Sequence, residues 1–286
     1  MRAIREILAT AAELSSISDS ARLDVEILLC DAIKKDRTYL YTWPEKKLTQ
    51  DELDDFAKSF LRRQKGEPIA YIIGYKEFWS LRLKCNESTL IPRPETELLV
   101  ELALSAFECE KTNKKNGSEE KRILDLGTGT GAIALAIASE KPHWKVTAVD
   151  SEQSAVLLAI ENCRALGLTN VEINKSDWFE NLSHQKFDLI ITNPPYIKEG
   201  DIHLSQGDVR FEPQSALTSG KTGLKDIEKI ISQAPSHLNE HGVLMIEHGY
   251  DQAADVRRLL KENSFFSEES VQDLAGHERV TIGTVE

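Results

Sequence analysis

The chain reads as an α/β protein: a mostly parallel seven-stranded sheet whose last strand is antiparallel, preceded by a small helical bundle and a β-hairpin. Three observations carry that reading. From residue 122 onward, short apolar runs alternate with helical patterns, and consecutive strands joined through helices run parallel with both sheet faces covered. The first 73 residues hold helical stripes only, with no glycine before Gly66. Between these regions, residues 74–92 alternate apolar and polar side chains, the period of a strand. The expected domains are a helical bundle over 1–73, a hairpin linker over 74–92 and an α/β domain over 93–286.

In the bundle, Ile4, Ile7, Leu8, Ala11 and Ala12 share one helical stripe. Leu23, Ile27, Leu28 and Ile33 form a second, and Leu53, Phe56, Phe60 and Leu61 a third. Thr49, with Glu52 three residues on, is a capping box that starts the third helix. The segment from Tyr39 to Pro44 reads as a connection. No catalytic constellation appears here, so the bundle is either a structural appendage or a docking module for a macromolecular substrate. Enzymes acting only on small molecules need no separate bundle, which favours docking.

In the hairpin, Asn86-Glu87-Ser88 mark the expected bend. Pro94 fits the first turn of a helix carrying Leu98, Leu99, Val100, Leu102 and Ala103. Glu95 and Glu97 in that turn suit the helix dipole. The polar run 109–121 reads as a solvated loop. Strands are expected at 122–126, 145–150, 171–175, 187–192, 242–248, 265–272 and 279–285, with helices near 131–140, 151–166, 224–237 and 250–263. Only Asp273 to Glu278 separates the last two strands, too short for a parallel crossover, so the final strand is antiparallel.

Composition narrows the function classes. The 286 residues are 41% hydrophobic and 29% charged, which suits a soluble globular chain of one large or two ordinary domains. A formal net charge of -12 weighs against a protein that coats nucleic acid through a broad basic face. Cys30, Cys85, Cys109 and Cys163 form no CxxC and have no histidine at ligand spacing. That pattern suggests no metal site, no disulfide framework and a reducing compartment. The start, Met1-Arg2-Ala3-Ile4-Arg5-Glu6, lacks the apolar core of a signal peptide, and no apolar run reaches the length of a membrane span. A cytoplasmic protein with no membrane partner is expected.

Two stretches carry chemistry. Strand 122–126 runs into Asp125-Leu126-Gly127-Thr128-Gly129-Thr130-Gly131 and then a helix. Glycines there let the backbone approach a ligand closely. The next strand ends in Asp150, placed to accept hydrogen bonds from ribose hydroxyls. Gly127-x-Gly129-x-x-Ala132 also fits a dinucleotide fingerprint. Three features favour S-adenosylmethionine: Asp125, where a carboxylate can face a cationic cofactor; the crowded Gly-x-Gly-x-Gly; and Asp177-Trp178, an acid and a ring able to frame an adenine. The competing reading of Asp177-Trp178 is a surface acid beside a core tryptophan.

The second stretch is Asn193-Pro194-Pro195-Tyr196, after the apolar run 187–192. Proline lacks an N–H and restricts the residue before it, so this is a stiff turn at the carboxyl end of a strand. It offers an amide oxygen and a freed backbone carbonyl, two acceptors suited to an –NH2 group with two N–H donors. The plainer alternative is a turn that only ends a strand. Facing a methyl donor, the same turn points to an amino- or amido-methylating enzyme.

These motifs resemble the peptide chain release factor N5-glutamine methyltransferases, the HemK or PrmC family. The resemblance runs through Gly66-Glu67-Pro68-Ile69-Ala70, Glu77-Phe78-Trp79-Ser80-Leu81, Leu90-Ile91-Pro92-Arg93-Pro94-Glu95-Thr96-Glu97, the glycine run, Ser176-Asp177-Trp178-Phe179, the Asn193–Tyr196 turn, Gly207 to Pro213 and Glu278-Arg279-Val280-Thr281. It implies a helical domain joined by a hairpin to a Rossmann-like class I S-adenosylmethionine-dependent methyltransferase domain. It implies as substrate the glutamine side chain of the Gly-Gly-Gln motif in class 1 release factors. By position, Gly127, Thr128, Gly129, Thr130 and Gly131 hold the cofactor with Asp150 on the ribose, Trp178 by the adenine and Asn193 nearby. Asn193, Pro194, Pro195 and Tyr196 hold the glutamine amide, and Asn193, Pro194 and Tyr196 carry the catalysis. Arg93 and Glu97 either shape the methionine end of the cofactor or order the helix. A monomer without stable nucleic-acid binding is expected. Rival readings are a nucleic-acid N6-adenine methyltransferase, a non-catalytic cofactor-binding regulator and an NAD-dependent dehydrogenase.

Overall fold

The computed structural model describes residues 2–107 and 120–286. The polar run 109–121, apart from its last two residues, lies outside them, as does Cys109. The chain divides into two compact units. One comprises Met1–Tyr75 with Ile202–Glu212, the other Lys76–Asp201 with Pro213–Glu286.

The first unit holds five helices among the described residues: α1 (Ile4–Leu8), α2 (Ala21–Ile33), α3 (Arg37–Thr42), α4 (Gln50–Gln64) and α5 (Ile69–Ile73). Ile4, Ile7, Leu14, Val25, Leu28, Leu29, Leu40, Phe56 and Phe60 form its core. The Thr49–Glu52 capping box starts α4 as expected. Three local expectations fail. Residues Arg37–Thr42 form a helix where a connection was expected, because Asp36 accepts a hydrogen bond from Tyr39 N at 2.8 Å and caps it. Leu23 and Leu61 are exposed, and charged Asp24, Glu26 and Arg63 are buried instead. Partners make that burial tolerable. Glu26 accepts from Arg22 Nε at 2.8 Å, Arg37 Nη2 at 2.7 Å and Tyr41 Oη at 2.5 Å. Arg63 donates to Asp24 at 2.7 Å and to Asp208 at 2.8 Å.

β1 (Tyr75–Phe78) and β2 (Leu81–Lys84) form the hairpin, all but Tyr75 in the second unit. Its bend is Trp79-Ser80, both with positive φ, and not Asn86-Glu87-Ser88. Two left-handed residues match the twist of a two-residue hairpin turn. No glycine or asparagine announces the bend. It is held from outside: Glu97 accepts from Trp79 N at 2.8 Å, and Glu140 accepts from Trp79 Nε1 at 2.9 Å.

The main sheet contains β3 (Arg122–Leu126), β4 (Lys145–Asp150), β5 (Val171–Lys175), β6 (Phe187–Thr192), β7 (Leu238–Glu247), β8 (Phe266–Gln272) and β9 (Glu278–Thr284), in the order β5-β4-β3-β6-β7-β9-β8. The pairs among β3 to β7 are parallel, and β9 runs antiparallel between β7 and β8. The sequence reading of a mostly parallel sheet with an antiparallel last strand therefore holds. Side chains alternate between faces. Ile123, Leu189 and Ile191 join one core with α6 (Glu97–Ser105) and α7 (Ala132–Glu140). Leu124, Leu126 and Ile190 join the other with α9 (Lys225–Gln233) and α10 (Ala253–Glu262). Burial on both faces is why these strands read as continuous apolar runs. The helix α8 (Gln153–Leu166) links β4 to β5. No helix among the described residues is long and apolar enough to cross a membrane.

After β5 the chain crosses to the other side of β3 to place β6. The order reverses there, and ligands of such sheets bind in the crevice at the carboxyl ends of the strands.

Candidate active site

A cavity of about 300 Å³ opens at this reversal, a size at the lower end for small-molecule pockets. Four strand ends contribute: Gly127, Thr128, Gly129 and Thr130 after β3, Asp150 and Ser151 at β4, Ser176, Asp177 and Trp178 after β5, and Asn193 and Pro195 after β6. Thr89, Arg93 and Thr96 reach it from the segment before α6.

The glycine turn is fixed by its neighbours. Asp150 Oδ2 accepts from Gly129 N and Oδ1 from Glu152 N, both at 2.9 Å. Burial raises the Asp150 carboxyl above its ordinary range, and these two N–H groups pull against that rise. Gly127 has φ +71, and a Cβ there would lie 3.3 Å from the Trp178 ring. The tryptophan therefore lies over the glycine, and glycine is needed both for the left-handed backbone and for that approach. Trp178 itself sits at φ 49, held by Ser176, whose Oγ donates to Trp178 O at 2.9 Å.

Two predicted residues stand back from the cavity. Gly131 is the left-handed N-cap of α7, and a Cβ there would meet Leu135 at 2.9 Å. Asp125, expected to face a cationic cofactor, is fully buried beneath the turn. Its Oδ2 accepts from Thr128 Oγ1 at 2.6 Å and Ala134 N at 3.2 Å, and burial pushes its carboxyl up to about 7. Asp125 braces the turn and lies outside the lining. Asp177 lines the cavity but is exposed and paired with Lys229 at 2.9 Å.

The turn after β6 is braced from three sides. Thr192 Oγ1 donates to Leu126 O at 2.8 Å, tying the ends of β6 and β3. Gln252 Nε2 donates to Tyr196 O at 3.0 Å. A Cβ at Gly223 would lie 2.3 Å from that same oxygen, so only glycine lets the chain pass. Asn193 Nδ2 donates to Thr96 Oγ1 at 3.0 Å. Among the described residues nothing donates to Asn193 Oδ1 or to the Pro194 carbonyl. Asn193 and Pro195 line the cavity, whereas Pro194 and Tyr196 do not. Glu247, the last residue of β7, is buried, and burial pushes its carboxyl up to about 7.

Thr96 carries no signal of its own in the sequence: it lies within Leu90–Glu97, and its contact with Asn193 spans 97 residues. Glu97 accepts from Trp79 N at the hairpin bend and does not line the cavity. Arg93 lines the cavity.

The lining fits S-adenosylmethionine. Among the described residues of the lining, Asp150, Glu152, Asp177 and Asp226 are four acids against one cation, Arg93, which suits a cationic cofactor and disfavours a pyrophosphate.

Two family models match, the PrmC N-terminal domain over residues 6–74 and the methyltransferase small domain over residues 104–210. Among solved structures, a methyltransferase from Pyrococcus furiosus aligns with TM-score 0.53 at 18% identity, covering 80% of this chain and 98% of that one. It supports the fold alone. Curated relatives are far more similar. The release factor glutamine methyltransferase of Pseudomonas aeruginosa is 51% identical over 93% of this chain and 93% of its own length. That of Shewanella oneidensis is 48% identical over 95% and 92%, and that of Escherichia coli 45% identical over 93% and 93%. Likeness of this extent across nearly the whole length means that the chain belongs to the release factor glutamine methyltransferase family.

Proposed function

We propose that this protein methylates the side-chain amide nitrogen of the glutamine in the Gly-Gly-Gln motif of class 1 peptide chain release factors. One observation carries the reading: Asn193 Oδ1, of a residue that lines the cavity, and the carbonyl of the next residue, Pro194, take no hydrogen bond from the described residues. A primary amide has two N–H donors to give them.

S-adenosylmethionine, when bound, supplies an electrophilic methyl group on a sulfonium. Gly127 to Thr130 and Asp150 hold it, with Trp178 beside its adenine. The amide nitrogen is a poor nucleophile because its lone pair is delocalised into the carbonyl. Asn193 and Pro194 hold that nitrogen in one orientation, which converts a chance encounter into a positioned one. The same two oxygens stabilise positive charge as it develops on the nitrogen. The product then loses its proton readily, so no strong base is needed in the site. Tyr196 anchors the turn through its carbonyl, which accepts from Gln252 Nε2, and Gly131 and Asp125 act by supporting the glycine turn.

The helical unit is read as the docking module for the release factor. In its support, every residue lining the cavity belongs to the other unit. The described cysteines Cys30, Cys85 and Cys163 are not disulfide-bonded, which suits the reducing cytoplasm, where we place the enzyme, as a monomer.

Methylation assays offering intact release factor, DNA and RNA side by side test the reading. A single methyl on the glutamine of the release factor is expected. Methyl transfer to adenine, with the release factor untouched, would overturn it.

A further inference from the structure

Asn162 is the polar side chain on the buried face of α8, where it sits with Ala155, Val156, Leu158, Ala159 and Cys163. It is 1% exposed. A buried amide is costly unless it is bonded, and this one uses its oxygen and both of its N–H groups. Oδ1 accepts from Lys84 N at 2.8 Å, and Nδ2 donates to Lys84 O at 3.2 Å and to Thr130 O at 2.9 Å. Exchanging both bonds with one residue is the pattern of a hydrogen-bonded pair on antiparallel strands. The exchange with Lys84 settles which end of the amide is the oxygen. The remaining N–H is thereby directed to Thr130.

Those two partners belong to two walls of the cavity. Lys84 ends β2, and the chain that follows supplies Thr89, Arg93 and Thr96 to the lining. Thr130 is part of the glycine turn, which supplies another wall. The walls meet: a Cβ on Gly129 would lie 4.0 Å from Thr89 Cβ. On the same face of α8, Ala155 lines the cavity, and a Cβ on Gly131 would lie 3.4 Å from Ala159. The helix therefore packs against the glycine turn, and Asn162 ties that turn to the other wall. A ligand entering between walls already held in place spends less of its binding energy on ordering them.

We propose that Asn162 is a positioning residue for the cofactor: by clamping the Lys84 backbone to the Thr130 carbonyl, it holds two walls of the S-adenosylmethionine cavity in register. Asn162 lies outside the lining and acts through the backbone on either side. The proposal rests on the reading in which S-adenosylmethionine occupies this cavity.

Three full-length variants test it: Asn162→Leu, Asn162→Ala and Asn170→Ala. Leucine fills the space of asparagine without its hydrogen bonds, and alanine removes both. Asn170 is the control. Its Nδ2 donates to Ala138 O, Lys141 O and Trp144 O at 3.2, 3.3 and 3.2 Å, at the carboxyl end of α7 and outside the lining. Calorimetry with S-adenosylhomocysteine reads affinity and stoichiometry separately, thermal unfolding reads stability, and steady-state assays read kcat and KM for S-adenosylmethionine. Both Asn162 variants are expected to bind about tenfold more weakly, or worse, at parent stoichiometry. Their KM for S-adenosylmethionine should rise in step, with kcat at saturation within about twofold of the parent. Asn170→Ala is expected to unfold at a lower temperature and to keep parent affinity. Parent affinity in Asn162→Leu would overturn the proposal. So would lowered stoichiometry at unchanged affinity in the Asn162 variants, which marks a residue needed only for folding. An equal loss of affinity in Asn170→Ala would also overturn it, since the effect would then follow stability in general. If the parent protein itself does not bind S-adenosylhomocysteine, the reading of the cavity falls and the proposal with it, a result distinct from failure of the clamp alone.

Discussion

Asn193 Nδ2 donates to Thr96 Oγ1 at 3.0 Å, joining two turns 97 residues apart in the chain. The bond matters because it leaves the other end of the asparagine amide free to accept.

A buried acid gives stability a pH dependence. Burial pushes the Glu247 carboxyl up to about 7, with the charge of Arg279 on β9 pulling it down and Glu95 adding to the rise. A buried acid whose folded pKa is raised destabilises the fold as it charges, so the free energy of unfolding is expected to fall as pH rises from about 4.5 through about 7. Glu247→Gln should flatten that slope; an unchanged slope would assign it to another group, such as Asp125, which burial also raises to about 7.

Gly127 tests the cofactor cradle. Alanine there must adopt φ +71 and place a methyl 3.3 Å from the Trp178 ring. The backbone strain alone costs about 1–2 kcal/mol. Gly127→Ala is expected to weaken S-adenosylhomocysteine binding about tenfold or more as the ring is displaced. Trp178→Ala on that background should relieve the clash without restoring the ring contact. Calorimetry that finds parent affinity in Gly127→Ala would remove Trp178 from the cofactor site.

Much of this was legible in the sequence. Strands β3, β4 and β6 fall at the expected positions, because strands buried on both faces appear as apolar runs between turn signals; the edge strand β5 also falls where expected, with Val171 and Ile173 alternating with exposed residues. The gripping turn was legible because Pro194-Pro195 restricts the backbone by itself, whatever packs around it. What depended on distant partners was not legible. Trp79-Ser80 carries no turn residue and bends because Glu97 and Glu140 hold it. Asp125 looked like a cofactor ligand, yet it is enclosed by the turn it supports. Leu23 reads as core and is exposed, since α2 turns Asp24 and Glu26 inward toward arginines. Local pattern sets the elements, and long-range polar pairing sets which face each one presents.

That last point has a stability consequence. The Arg63 side chain is 5% exposed and bridges Asp24 at 2.7 Å and Asp208 at 2.8 Å. Arg63→Met keeps the length but leaves the Asp24 charge buried without its partner. A loss of about 3–5 kcal/mol is expected in urea unfolding. Replacing Asp24 as well, by Asn, should recover part of it. A change below about 1 kcal/mol in Arg63→Met would show that the aspartates find water or other partners.

The claim that the turn after β6 grips the substrate amide is tested most directly by the single-turnover rate of Asn193→Ala on a Gly-Gly-Gln substrate at saturating S-adenosylmethionine. A loss of about 100- to 1000-fold is expected, comparable to removing one preorganised polar contact from a transition state, with cofactor affinity largely kept. A rate near that of the parent would contradict the account.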